Sequence, residues 1–181
     1  MTDDKRSDAL ENREELLETA QKAFSAFGPE VSLSKVAKDA RVSRSTLYRN
    51  FSDRQALIFA VLERNIDTLE RQSDELAGTQ EAFADLVKLV LDLQIEFESL
   101  ISFLDDSVAG YLEQRMIEVF KQPVRDAKGS KRLKSNFYTD DILLLTNMLG
   151  GALSASEPDK RRQQAQKALS FLFEGILRKH E

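Results

Sequence analysis

The chain has 181 residues, of which 41% are hydrophobic and 31% charged, with seven glycines, three prolines and no cysteine. This composition is typical of a helix-rich globular protein of one or two domains, and it excludes disulfide bonds and thiolate metal sites. The net charge of -5 argues against a protein that coats nucleic acid without discrimination.

The first two predicted helices show amphipathic spacing and clear end signals. From about Asn12, hydrophobic residues recur every three or four positions as far as Gly28-Pro29. This pattern predicts a helix that follows a frayed N-terminal dozen of polar residues. Ser32 then occupies the position expected for the N-cap of a short helix that contains Val36 and Ala40.

A third and a fourth helix are predicted after a short break. Ser43 is placed to cap a helix over residues 44–50, and Ser52 or Asp53 is placed to cap a long helix behind it. Gly78 ends the long helix, because glycine favours the left-handed conformation that is common just after a helix.

Longer helices are predicted beyond Gly78. Residues 79–104 carry one apolar stripe over nearly seven turns. A second helix through residues 112–124 is expected to kink or end at Pro123, and the composition of residues 126–140 predicts a loop. Thr139 is the expected cap of the helix that follows.

The last two helices predict a subunit interface. Residues 142–153 are apolar on nearly every side, so this helix lies either at the centre of the core or partly under a second subunit. Gly150-Gly151 within it indicates close approach by another helix. The last helix begins near Pro158 and has its own apolar stripe, and the two are expected to form half of a four-helix dimer interface. The alternative is that both helices complete the core of one chain.

The two short helices separated by residues 41–43 suggest a helix-turn-helix motif. Such a motif needs a small residue where its helices cross, apolar neighbours on either side, an apolar residue in the turn and another on the second helix. These positions are filled in order by Val36, Ala37, Ala40, Val42 and Leu47.

The second helix of this motif has a polar outer face. On a helical wheel Leu47 and Phe51 face inward, and the opposite arc is rich in hydrogen-bond donors without a carboxylate. Between Val31 and Gln55, six basic and two acidic residues give a local charge of six minus two, or +4. Such a surface suits phosphates and base edges of DNA, the alternative being a polar helix exposed to water.

The segment from Leu16 to Leu62 resembles the DNA-binding domain of the TetR family of bacterial transcriptional regulators. The resemblance lies in "LLETAQKAFSAFG", in "SLSKVAKDARVS" and in "TLYRNF" with the Ala-Leu pair that follows. It implies an all-α protein with an N-terminal three-helix DNA-binding domain and a C-terminal helical bundle that dimerises and usually binds a small-molecule effector.

The resemblance also implies DNA contacts, carried over residue by residue. The family's base and phosphate contacts fall on Lys35, Arg44, Ser45, Thr46, Tyr48, Arg49, Asn50 and Arg54. One departure is Arg41, which stands where the family usually has glycine in the turn. A left-handed conformation there costs a non-glycine residue roughly 1 kcal/mol, which the packing of Val42 and Leu47 can absorb.

An effector site in the C-terminal part is expected to use aromatic side chains and a few polar anchors. Phe137 and Tyr138 belong to the aromatic set, although an aromatic residue at helical spacing more commonly packs in a core. The residues that we retain as ligand-binding candidates are Gln94, Phe97, Phe103, Tyr111, Arg115 and Phe120.

The sequence lacks the residues and motifs that common enzymatic mechanisms require. His180 is the only histidine, so a histidine-dependent triad or a histidine-bound metal is not expected. No phosphate loop or dinucleotide fingerprint occurs, and the adjacent carboxylates Asp105-Asp106 and Asp140-Asp141 are explained by helix capping or exposure. We therefore expect no enzyme, no cofactor and no metal.

Without a secretion signal or an apolar run of membrane-spanning length, a cytoplasmic protein with no membrane partner is expected.

These expectations combine into one hypothesis and two alternatives. The hypothesis is a homodimeric, sequence-specific repressor that binds a palindromic operator in double-stranded DNA and is released by a small-molecule effector. Residues 1–52 would form the DNA-binding domain, and residues 53–181 the dimerisation and effector domain. The alternatives are a DNA-binding regulator controlled by a protein partner, and an all-helical interaction module that does not bind DNA.

Overall fold

The computed structural model describes the backbone of residues 2–177 and the side chains of residues 12–177 other than Glu98 and Pro158. Within this range the regular secondary structure is helical, apart from one isolated antiparallel bridge between Leu133 and Leu177. Its elements are α1 (Thr2–Phe27), α2 (Leu33–Asp39), α3 (Arg44–Asn50), α4 (Arg54–Glu75), α5 (Ala82–Ile101), α6 (Asp106–Gly129), α7 (Asp141–Ser154), a turn of 3-10 helix (Pro158–Lys160) and α8 (Arg161–Ile176). The predicted all-α class is confirmed.

The chain forms two compact units. The first contains the chain through Arg64 together with Ser99–Ala109, and the second contains Asn65–Glu98 and the chain from Gly110 onward. The division therefore falls within α4, twelve residues beyond the boundary expected at residue 52, and the first half of α4 belongs to the unit that carries α2 and α3. An ion pair of 2.8 Å between Arg64 and Glu14 joins α4 to α1 in this unit.

The first unit is built around the apolar faces of its four helices. Leu16, Val36, Leu47 and Leu57 contribute one fully buried side chain from each of α1, α2, α3 and α4. The predicted inward direction of Leu47 and Phe51 is confirmed. Gly28 has a φ of +74° directly after α1, a conformation that glycine adopts without strain, so the predicted end of the first helix is also confirmed.

The start predicted for the first helix was wrong, because α1 begins at Thr2 and not near Asn12. The early residues carry no apolar stripe, so periodicity had no means of finding this extension. Polar residues can continue an established helix by propensity alone, since each added residue gains one backbone hydrogen bond without a new nucleation step.

The second unit has one large apolar core. Phe83 on α5 makes edge-to-face contacts with Phe120 on α6 and with Phe137, at centroid distances of 6.2 Å and 5.5 Å. α7 contributes Ile142 and Leu149 to the same cluster. Among the described helices, none is both long enough and apolar enough to cross a bilayer.

Pro123 was expected to kink or end its helix, and the second possibility was wrong, since α6 continues through Pro123 to Gly129. A proline in a helix leaves the carbonyl four residues earlier without its usual amide donor, which here is the carbonyl of Val119. The hydroxyl of Ser73 on α4 donates to that oxygen at 3.3 Å. Pro123 itself is buried in the core. A donor from another helix therefore replaces the missing amide, and the predicted loop begins only after Gly129.

The predicted cap of α7 was also displaced. Asp140, and not Thr139, is the N-cap residue, and it makes no side-chain capping bond. Asp141 in the first turn instead accepts a hydrogen bond of 2.7 Å from the amide of Tyr138. The Asp141 carboxylate lies near the positive end of the helix dipole and binds an amide that precedes α7, so it orders the entry to the helix without capping an amide of the first turn.

Candidate nucleic-acid interface

α3 is a seven-residue helix that is fixed at both ends by local interactions. The hydroxyl of Ser43 accepts the amide hydrogen of Thr46 at 3.1 Å, which confirms the predicted N-cap. Leu47 and Phe51 are 1% and 3% exposed and attach the helix to the core. These interactions decide which side of α3 is left to the solvent.

The outer side of α3 carries exposed hydrogen-bond donors. Arg44, Ser45, Tyr48 and Arg49 are exposed, and Tyr48 keeps 45% of its surface despite its aromatic ring. Within the described residues, neither arginine has a carboxylate partner, and no acidic residue occurs on α3. Thr46 is half-buried, and its hydroxyl lies 2.8 Å from that of Ser43. The hydroxyl of Ser45 also lies 2.8 Å from that of Ser43, whereas the side chains of Arg44, Tyr48 and Arg49 have no hydrogen-bond or ion-pair partner within the described part of the chain.

Three other predicted contact residues already have partners. The ammonium group of Lys35 forms an ion pair of 2.6 Å with Asp39 and lies 5.4 Å from the centre of the exposed ring of Phe27. The side-chain amide of Asn50 donates to the carbonyl of Thr46 at 2.9 Å. These contacts lie on the surface or near it and orient the two side chains.

The third of these residues, Arg54, is half-buried and donates to two backbone carbonyls. Its guanidinium bonds the carbonyl oxygens of Val31, at 2.7 Å, and Pro29. Both acceptors lie in the segment between α1 and α2. Arg54 thus connects the first turn of α4 to the entry of the helix-turn-helix motif.

Asp53 sets the start of α4. Its carboxylate accepts the amide hydrogen of Ala56 at 2.8 Å and a hydrogen bond of 3.0 Å from the hydroxyl of Ser52. The bond from the Ala56 amide, and then the bond from Ser52, lower the pKa of Asp53 below its usual value of 3.8. Of the two candidates, Asp53 is therefore the capping residue.

Two cationic residues near α3 were not among the predicted contacts. Lys38 on α2 and Arg41 in the turn are both exposed, and neither has a partner among the described residues. Both residues contribute to the local charge of +4, which was the only sequence signal that pointed to them. Charge by itself did not distinguish a paired cation such as Lys35 from a free one.

The structure buries two of the six ligand-binding candidates fully and leaves the other four partly or largely exposed. Phe97 and Phe120 are 2% and 0% exposed, and Phe103 is half-buried after α5. Tyr111 is exposed near the start of α6. Gln94 donates through its amide nitrogen to the carbonyl of Thr146 at 3.0 Å, while its amide oxygen is buried without a hydrogen-bond partner.

Arg115, the sixth candidate, is held by two carboxylates of α4. Its guanidinium lies 2.9 Å from Asp67 and 2.6 Å from Glu70. Burial by itself lowers the pKa of Arg115, but the hydrogen bonds and charges of Glu70 and Asp67 outweigh burial and raise the pKa above its ordinary value. The positive charge is therefore neutralised within the chain.

A cavity in the second unit was not predicted from the sequence. It has a volume of about 250 Å³ and lies beside α7 and α8, with Lys134 and Asn136 in its lining. Its α7 and α8 residues include Leu144, Met148, Leu172 and Gly175. Among the described residues, no group of three or more histidine, cysteine or acidic side chains is arranged to hold a metal ion.

Comparisons with known proteins agree with this helix-turn-helix geometry. The family model for bacterial regulatory proteins of the tetR family matches residues 16–61, the segment from α1 to the first half of α4. An HTH-type transcriptional regulator of Staphylococcus aureus (strain bovine RF122 / ET3-1) is 33% identical over 94 residues, which cover 51% of each chain. The chain thus matches about half the length of this curated relative.

Solved structures extend the likeness to nearly the whole fold. A TetR transcription regulatory protein from Mycobacterium vanbaalenii superposes with a TM-score of 0.72 at 20% identity, over 96% of this chain and 99% of the other. A TetR transcriptional regulator from Streptomyces coelicolor gives 0.72 at 23% identity, over 93% and 99%. At these identities the likeness establishes the fold, an all-helical protein with an N-terminal helix-turn-helix domain. The family match on residues 16–61 adds that this domain is similar to the DNA-binding domain of bacterial regulatory proteins of the tetR family.

Proposed function

We propose that this chain is a homodimeric, sequence-specific transcriptional repressor that binds a palindromic operator in double-stranded DNA. α3 enters the major groove, where Arg44, Ser45, Tyr48 and Arg49 bond base edges and phosphates. The observation that carries the proposal is the outer face of α3, which combines exposed donors, two arginines without a partner among the described residues, and no carboxylate.

The remaining contact residues position α3 on the duplex. Lys35 binds the phosphate backbone beside the groove, with Asp39 and Phe27 holding its ammonium group in place. Thr46 and Asn50 act at the inner edge of α3, where Asn50 is oriented by its bond to the carbonyl of Thr46. Arg54 contributes as a positioning residue, because its guanidinium already bonds two carbonyls.

Exposed apolar side chains on α7 and on α8 support dimerisation. Leu144 and Met148, four residues apart on α7, are 61% and 51% exposed, and Phe171 on α8 is 61% exposed. An added Cβ at Gly151, three residues after Met148, would meet no atom within 4 Å in the chain. The close approach predicted at this glycine is therefore not made within the described chain, and we propose a helix of a second subunit as the neighbour.

The exposed face of α7 also argues against one alternative from the sequence. If α7 and α8 only completed the core of one chain, their large apolar side chains would be buried there. Contiguous exposed apolar side chains on a globular protein mark an interaction surface. A twofold dimer would present two recognition helices about one helical turn of DNA apart, or a multiple of that distance.

Release by a small-molecule effector completes the proposal. The buried amide oxygen of Gln94 lacks a donor within the described chain, which supports a ligand or a water molecule as its partner. Gln94, Phe97, Phe103, Tyr111, Arg115 and Phe120 remain the proposed ligand-binding set. If an effector favours the conformation that does not bind DNA, DNA must weaken effector binding by the same factor.

Selection of bound fragments from random double-stranded DNA tests the proposal. The expected result is an inverted repeat whose half-site spacing matches two recognition helices. Sedimentation of the protein, with Met148→Lys as the variant, tests the interface, and we expect the variant to be monomeric and to bind a single half-site weakly. Enrichment of no sequence, with a monomeric wild-type protein, would contradict the proposed function.

A further inference from the structure

Arg41 closes α2 in a conformation that favours glycine. Its φ is +55°, in the left-handed region. The amide of Val42 donates to the carbonyl of Ala37 at 3.0 Å, and the amide of Arg41 donates to the carbonyl of Lys38 at 3.1 Å. This pair of bonds is the Schellman arrangement, in which the left-handed residue is usually glycine because a side chain there is strained.

Lys131 closes α6 in the same way. It is the other non-glycine residue with positive φ in the described chain, at +60°. The amide of Arg132 donates to the carbonyl of Ala127 at 2.9 Å, and the amide of Lys131 donates to the carbonyl of Lys128 at 3.0 Å. The strain by itself therefore does not mark a functional residue. What distinguishes Arg41 is its position.

Arg41 lies in the turn of the helix-turn-helix motif. It precedes Arg44, the first residue of α3, by three positions, so the two Cα atoms are at most about 11 Å apart. In helix-turn-helix complexes the first helix crosses the phosphate backbone and the second lies in the major groove, so the turn between them passes over the edge of the groove. The groove edge is where phosphates lie.

The Arg41 side chain is free to bind an anion. It is exposed and has no hydrogen bond or ion pair within the described residues. The nearest carboxylate in sequence, that of Asp39, is engaged by Lys35 at 2.6 Å. A guanidinium is always charged and matches two phosphate oxygens at once.

We propose, building on the DNA-binding function above, that Arg41 is an additional phosphate contact that strengthens binding to any DNA sequence without reading bases. The strained helix end holds the cation at the edge of the groove, directly before the recognition helix. A glycine here would relieve the strain and remove the contact.

Arg41→Gly and Lys131→Gly form a matched pair for the test. Each replaces a left-handed cation with glycine at the end of a helix, and each is expected to raise the Tm by about 2–4 °C or leave it unchanged. Only Arg41→Gly is expected to weaken DNA binding, by roughly fivefold at moderate salt. The probes are a duplex selected by the wild-type protein and a duplex of scrambled sequence.

The salt dependence identifies the contact as a phosphate contact. Arg41→Gly should reduce the slope of log K against log salt by about 0.9, and should weaken both duplexes by the same factor. Arg41→Asn, which tolerates the left-handed conformation but has no charge, should behave like Arg41→Gly. Arg41→Lys should restore most of the affinity and the slope.

Three outcomes would overturn the inference in distinguishable ways. If the wild-type protein binds the selected duplex and Arg41→Gly binds it with unchanged affinity and slope, Arg41 makes no phosphate contact, while the proposed function stands. If the selection enriches no sequence and the wild-type protein does not bind the scrambled duplex, the proposed function fails and the inference fails with it. A loss confined to the selected duplex would make Arg41 a base contact and contradict the proposal.

Discussion

The guanidinium of Arg54 donates a hydrogen bond to the carbonyl oxygen of Val31, 2.7 Å away, and a second bond to the carbonyl of Pro29. A residue at the start of α4 thereby holds the segment that leads into α2. In sequence, Arg54 is one of several cations close to the recognition helix. In the structure, it differs from Arg49 because its donors are directed at the protein's own backbone.

Arg54→Ala is expected to lower the stability of the protein as well as its affinity for DNA. Removing the guanidinium leaves two part-buried carbonyls without donors, which costs about 1–3 kcal/mol in the free energy of unfolding. Urea denaturation followed by circular dichroism measures this change. Wild-type stability with lost DNA binding would show instead that the guanidinium serves the DNA.

Arg49→Ala and Tyr48→Ala are expected to weaken DNA binding without a large change in stability. Both side chains are exposed on α3, so their removal should change the free energy of unfolding by less than about 0.5 kcal/mol. Each substitution should weaken operator binding by about 1–3 kcal/mol, measured by titration of a labelled duplex.

Arg125→Ala is the control for these two variants. Arg125 is an exposed arginine of α6, in the second unit, and bonds only Gln122 among the described residues. Its removal should leave operator affinity unchanged. Unfolded Tyr48→Ala or Arg49→Ala protein would mean that the outer face of α3 is structural.

The free energy of unfolding is expected to depend on pH through the carboxylate of Asp53. Its pKa is lowered in the folded protein, so the ionised cap stabilises the fold fully above the usual value of 3.8, and this contribution is lost as the pH falls through the lower folded pKa. At neutral pH, Asp53→Ala should cost about 1 kcal/mol, whereas Asp53→Asn, which can still accept the Ala56 amide, should cost much less.

Thermal denaturation between neutral pH and pH 3 tests this expectation. The difference in Tm between the wild-type protein and Asp53→Ala should narrow on acidification, starting below about pH 4. A difference that is constant over this range would mean that the carboxylate charge does not contribute.

The contribution of the Ser73–Val119 hydrogen bond to the free energy of unfolding should depend on Pro123. With proline present, Ser73→Ala removes the donor to the Val119 carbonyl and should cost about 1 kcal/mol. In a Pro123→Ala background the restored amide can bond that carbonyl, so the same substitution should cost much less. A double-mutant cycle in urea measures the coupling, and additive effects would disprove it.

Features set by near neighbours in the chain could be predicted from the sequence. Ser43 caps α3, and Gly28 ends α1, because each acts on backbone groups within four residues. The inward positions of Leu47 and Phe51 followed from helical periodicity, since two residues four apart share one face. The recognition helix and its polar outer face could therefore be predicted from local sequence patterns alone.

Features that join distant segments could not be predicted in this way. The partners of Arg54 lie 23 and 25 residues earlier in the chain, and the donor that permits Pro123 within α6 comes from α4, 46 residues before its acceptor. Helical spacing does not report which buried acceptor a given side chain meets. For the same reason, the sequence did not distinguish the engaged Lys35 from the free Arg41.

By itself, the sequence of this protein determined an all-helical chain, the helix-turn-helix motif and the side of α3 that faces the solvent, because backbone capping and amphipathic spacing act over a few residues. Only the tertiary structure decided which cations are already paired, how α6 accommodates Pro123, and that Leu144 and Met148 of an almost wholly apolar helix remain exposed. These properties depend on which helices pack together, and packing brings residues into contact that the linear pattern keeps far apart.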